Sequence, residues 1–96
     1  MAVAEIEAAV ARKKPELQAL GVESLELFGS AANGSESERS DLDFLVRFRG
    51  AATFDAYLNV KFLLEDLFDR PIDLVTVNAL RPEFRERILR EAIRVA

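Results

Sequence analysis

The chain has 96 residues, half of them hydrophobic, with seven Phe and a net charge of −4. That is enough for one domain with a modest core, read here as residues 1–96. With neither Cys nor His, disulfides, thiolate metal sites, histidine bases and Ser-His-Asp triads are all excluded. Any chemistry must therefore use carboxylates, hydroxyls, Lys, Arg, backbone groups and hard metal ions. The acidic balance argues against a nucleic-acid binder, which needs a basic face for the phosphate backbone. No apolar run approaches the roughly 20 residues that span a bilayer, and Met1–Arg12 lacks the order of a signal peptide. The expected setting is soluble and intracellular, away from membranes.

Residues 2–20 read as helical, with Val3, Ile6, Val10, Leu17 and Leu20 along one face. Pro15 predicts a kink or two short helices, and Gly21 a stop. Residues 23–28 read as a strand with Leu25 and Leu27 on one side. Gly29-Ser30 follows at once, then one helical turn over Ala31-Ala32-Asn33 and a polar loop over 35–40. Residues 42–48 alternate most clearly. Leu42, Phe44, Val46 and Phe48 face one way, and Asp41, Asp43, Leu45 and Arg47 the other. An amphipathic helix over 53–68 is capped by Thr53 or Asp55 and ends at Asp69-Arg70-Pro71. Residues 72–77 form a third strand. A last helix runs to about Arg94, with Asn78 as candidate cap and Pro82 in its first turn. The order predicts an α+β fold: a small three-stranded mixed sheet with helices packed on one face. The other face carries Asp41, Asp43 and Asp73.

Two residues apart on a strand, Asp41 and Asp43 project from one face and repel each other unless a cation lies between them. Magnesium suits that place, because it prefers oxygen ligands and keeps substrate phosphates in its shell. Taken alone, the pair reads more readily as solvated aspartates at a strand start. A glycine directly after an apolar strand lets the backbone approach a ligand closely, and the N–H groups that follow favour an anion. Ser30 adds a hydroxyl donor, although the same residues also make an ordinary turn. Asp73, in an otherwise apolar strand, is costly unless its face is open or carries a metal.

Together these pieces are more specific. Leu27-Phe28-Gly29-Ser30-Ala31-Ala32-Asn33-Gly34, six further residues, then Asp41-Leu42-Asp43-Phe44-Leu45-Val46 resembles the signature of the DNA polymerase beta-like nucleotidyltransferases. More narrowly it is similar to the minimal nucleotidyltransferase (MNT) family, small prokaryotic domains often paired with HEPN proteins. Ser40 before Asp41 also matches. One position departs: the family usually has Arg where this chain has Asn33, which implies weaker phosphate affinity or activity.

The resemblance implies two magnesium ions held by Asp41, Asp43 and Asp73, with Asp73 also serving as base. It further implies Gly29, Ser30 and Ser40 on the triphosphate of ATP, with Arg39 within reach of a phosphate. AMP would pass to a hydroxyl of a partner protein. Larger relatives carry a second domain for the acceptor, and 96 residues leave no room for one. The acceptor is therefore expected on another chain or on a second copy of this one, and the family pairing implies a HEPN-type toxin, with this chain as antitoxin. The alternative is a binding module that masks the toxin sterically; a small-molecule nucleotidyltransferase is a more distant third. Free sheet edges would also allow a homodimer. Arg47, Arg49, Lys61 and Tyr57 are read as surface or core-edge residues, and Glu83–Arg87 and Glu86–Arg90 as pairs on the last helix.

Overall fold

The computed structural model describes residues 1–34 and 41–96. The N-terminal segment forms two helices, α1 (Val3–Ala11) and α2 (Lys14–Ala19). The Glu5 carboxylate accepts the Ala2 N–H at 2.9 Å and closes the first turn of α1. Pro15 lies in the first turn of α2, where its missing N–H breaks no helical hydrogen bond. Gly21, at φ +87°, turns the chain into the sheet.

Strand β1 (Val22–Phe28) leads into a 3-10 turn over Gly29–Ala31. β2 (Leu42–Phe48), α3 (Phe54–Phe68) and β3 (Ile72–Thr76) follow. The Thr53 hydroxyl caps α3 by accepting the Ala56 N–H at 3.0 Å, and Asp69 ends it in the left-handed region at φ 52°. A second 3-10 turn, Val77–Ala79, precedes α4 (Pro82–Glu91). Asn78 falls inside that turn, so Arg81 takes the cap position and Pro82 opens the helix.

The sheet has four strands, in the order β3-β2-β1-β4, rather than the three expected. The helix ends at Glu91, where Ala92 becomes extended. Ile93–Arg94 then form β4, antiparallel to β1. Val95 is buried and donates its N–H to the Leu25 carbonyl at 2.9 Å. Two residues cannot display an alternation, so the helical pattern reads through them.

β2 is central, antiparallel to β1 and parallel to β3. On one face Leu25, Leu27, Leu42, Phe44, Val46 and Leu74 pack against Ile6, Val10, Leu17, Val60 and Leu64 from α1–α3. Phe44 stacks on Phe68 with ring centroids 5.9 Å apart. The α+β class and the helical layer stand as expected.

α4 does not join that layer, and none of its residues is buried. Its Arg85 lines a cleft with Glu23, Arg47, Phe48 and Thr76 at one end of the sheet. Its Phe84, Arg87, Ile88 and Glu91 line another with Phe28 and Gly29 at the opposite end. α4 therefore sits over the aspartate face between the two clefts. Leu45, midway along that face, is only 1 % exposed. The outer edge of β3 is partly blocked, because the Tyr57 hydroxyl donates to the Leu74 carbonyl at 2.5 Å. Among the described residues no helix is long and apolar enough to cross a membrane.

Candidate active site

Asp43 is the geometric centre of the site. In the register its Cα stands opposite Phe28 of β1 on one side and Asp73 of β3 on the other. Adjacent strands lie about 4.8 Å apart, so Asp43 and Asp73 are direct neighbours on one face. The parallel β2–β3 pairing is what brings together two residues thirty apart in sequence. The Leu42 N–H donates to the Pro71 carbonyl at 3.2 Å and pins the entrance of β2 to that of β3. This sets Asp41, the residue before β2, at the same end.

The electrostatics follow from that crowding. The Asp43 pKa is pushed up from 3.8 to about 6. Partial burial is the largest cause. The negative charges of Asp73 and then Asp41 add to it, as does a hydrogen bond between the Asp43 and Asp73 carboxyl groups. That bond needs a proton on one of the two. A cation between them would replace the proton and remove the repulsion. Asp41 and Asp73 are both exposed, Asp43 half-buried, so water and ligands reach the group.

Among the described residues no three acidic side chains close on one point as a metal cage. The contacting pair is Asp43 with Asp73, and Asp41 acts on it through its charge. Two adjacent carboxylates with a third nearby, open on one side, are the oxygen-rich partial shell that suits magnesium, which completes its coordination with water and substrate phosphates.

Gly29 completes the arrangement. Its φ is +72°, a conformation that residues with a side chain rarely adopt. A Cβ there would collide with the nearer carboxylate oxygen of Asp43 and sit 3.1 Å from its Cγ. The Gly29 backbone thus lies directly against the Asp43 carboxylate. The turn is anchored by Ala31, which is buried in the core, and by the Ala32 N–H donating to the Gly29 carbonyl at 3.2 Å. Ser30 is half-buried beside it.

The remaining sequence candidates divide. Arg39 and Ser40 lie outside the described residues. Arg47 shares the aspartate face but pairs with Glu26 at 3.4 Å, and Arg49 donates to the Gln18 carbonyl at 2.9 Å. Both are thus held by structural partners. Tyr57, bound to Leu74, is likewise a strand-to-helix tie. On α4 the Glu86–Arg90 pair forms at 3.3 Å, while Arg87 pairs with Glu91 at 3.6 Å. Sequence reasoning missed the wall that α4 raises beside Gly29. The spacing of Phe84, Arg87, Ile88 and Glu91, one helical face, is the signal that carried it.

A strand thus leads into a glycine turn held against one carboxylate, which pairs with a second carboxylate across two parallel strands. Residues 10–96 match the family described as Polymerase beta, Nucleotidyltransferase, and the chain belongs to it. Within that family it is a nucleotidyltransferase of the minimal kind. It is 33% identical to the protein adenylyltransferase MntA of Thermococcus cleftensis over 92 residues, covering 95% of this chain and 93% of that one. A solved structure described as a minimal nucleotidyltransferase superposes with a TM-score of 0.83 at 34% identity, covering 97% of this chain and 95% of the other. The MNT antitoxin complex with a tri-AMPylated HEPN toxin from Shewanella oneidensis matches in fold. Its TM-score is 0.62 at 17% identity, over 88% of this chain and 67% of that one.

Proposed function

We propose that this nucleotidyltransferase transfers AMP from magnesium-bound ATP to a hydroxyl of a HEPN-type toxin, and so acts as that toxin's antitoxin in a prokaryotic cytoplasm. The observation that carries the reading is Asp43, paired with Asp73 and pressed against Gly29. Burial and the neighbouring negative charges make this arrangement costly, and a cation bound there would offset that cost. The adenylyltransferase relative and the toxin-bound structural neighbour support the choice of AMP and of partner.

Asp41, Asp43 and Asp73 would hold magnesium, which supplies neutralisation of the triphosphate and of the leaving pyrophosphate. The Gly29 and Ser30 backbone, with the Ser30 hydroxyl, holds the terminal phosphates, helped by Ser40 and Arg39. Asp73, exposed near the sheet edge, takes the proton of the acceptor hydroxyl. The acceptor oxygen forms its bond to the α-phosphorus as the bond to pyrophosphate breaks. Positioning and charge supply most of the rate, so no His or Cys is required.

Asn33, in the place where the family usually has Arg, favours a second reading in which the chain masks its partner with weakened chemistry. Transfer of α-phosphate label from ATP, with magnesium and the toxin, separates the two. Label on the toxin with wild-type protein and none with Asp41→Asn is the expected result. A stable complex that never acquires label would replace catalysis with masking.

A further inference from the structure

A second group of charged residues lies at the end of the sheet away from the aspartates, around the cleft of about 440 Å³ beside α4. Glu23 of β1, Arg47 of β2 and Arg85 of α4 line it from three different elements. Glu23 is there because its strand is irregular. The pairing of β1 with β2 shifts register between Val22 and Ser24 and leaves Glu23 without a cross-strand partner. In a regular strand Glu23 would share the core face of Leu25 and Leu27; the bulge re-aims it. The Arg85 guanidinium makes no hydrogen bond or ion pair among the described residues. Arg47 reaches Glu26 through its Nε at 3.4 Å, and a guanidinium has five N–H groups to give. Among the described residues Glu23 forms an ion pair with neither arginine. Opposite charges therefore line one cleft without closing on each other.

We infer that this cleft binds a small zwitterion of the amino-acid kind, with its carboxylate on Arg47 and Arg85 and its ammonium on Glu23. The planar fork of a guanidinium matches a carboxylate. Two such forks, one from the sheet and one from α4, repel each other unless an anion lies between them. A plain anion would also meet the Glu23 carboxylate. A molecule that carries an ammonium beside its acid group turns that repulsion into an ion pair. Asn78, in the same lining, adds an amide that can both donate and accept. The volume falls within the roughly 300–1,000 Å³ of small-molecule sites. The inference does not depend on the phosphate chemistry, because buried Leu45 separates Arg47 from Asp43 along the strand. An occupant joins α4 to the sheet, at a helix that has no buried residue of its own.

The test titrates each standard amino acid into the whole chain and follows the backbone amide chemical shifts. Binding of at least one at millimolar concentration is expected, with shifts at Glu23, Arg47, Asn78 and Arg85 rather than at Gly29 and Ser30. Arg85→Gln gives up no partner within the chain, so its fold is retained. It is expected to weaken binding at least about tenfold, the lower end for a hydrogen bond between charged groups. Glu23→Gln should act in the same direction. The N-acetyl derivative of the bound amino acid lacks the ammonium and its amide lacks the carboxylate, and both are expected to fail. Absence of binding by every amino acid overturns the inference, as do shifts confined to Gly29 and Ser30. Undiminished binding by Arg85→Gln, or an N-acetyl derivative that binds as well as its parent, overturns it equally.

Discussion

Replacing Asp43 by Asn should make the metal-free protein more stable while ending its function. In the folded chain the Asp43 pKa stands near 6 instead of 3.8. Full burial would make that rise worth about 3 kcal/mol. The side chain is half open to solvent, so screening reduces the figure to about 1–1.5 kcal/mol. A folded-state pKa above the unfolded value means the folded form binds the proton more tightly. The associated stability is therefore complete below about pH 4 and is lost as the pH rises through about 6. Asn keeps the size of the side chain and its place against Gly29 but carries no charge. In EDTA at pH 7.5, thermal melts followed by circular dichroism should show Asp43→Asn about 5–10 °C above wild type. At pH 4 about a fifth of that gain should remain, because the wild-type carboxyl is then protonated. Magnesium with a non-hydrolysable ATP analogue should raise the melting temperature of wild type and leave the variant unmoved. A variant that melts at or below wild type in EDTA at pH 7.5 would refute the reasoning, as would a gain independent of pH.

Two further expectations concern structure that the chemistry leans on. Gly29→Ala should cost about 1–3 kcal/mol in urea unfolding, since the left-handed backbone and the collision with Asp43 act together, and nucleotide binding should fall with it. Undiminished binding by a stably folded Gly29→Ala protein would show that the turn can move. Val95→Ala should cost about 1–2 kcal/mol, because Val95 is buried beside β1 at 5% exposure. A change within 0.5 kcal/mol, roughly the scatter of surface substitutions, would mean that β4 is not part of the cooperative unit.

The legible part of the site is the part written within one strand or one turn. Period-two alternation over Leu42–Phe48 is sufficient to set Asp41 and Asp43 on one face, and Gly29 announces a close backbone approach. The meeting of Asp43 with Asp73 is different. It depends on β3 pairing parallel to β2 in one register, and a one-residue slip would turn Asp73 into the core. No local pattern encodes that choice; the resemblance carried it. α4 was read correctly as a helix but was expected in the layer with the others, since its composition, that of a solvated surface, does not say which face of the sheet it lies on. Its position over the aspartate face follows from the chain's return to pair Ile93–Arg94 with β1, a contact too short to announce itself. Asp69, by contrast, ends α3 where Asp69-Arg70-Pro71 suggested, in a conformation that Asp tolerates.

The contact between Gly29 and Asp43 also makes the effects of substitution at the two positions non-additive. A side chain at 29 is harmful largely because Asp43 occupies the space, so its cost in an Asp43→Ala background should be smaller than in wild type, limited to the strain of the backbone alone. Epistasis of this kind has a direction. A lineage that abandoned the chemistry would first lose Asp43 and only then be free to lose the glycine.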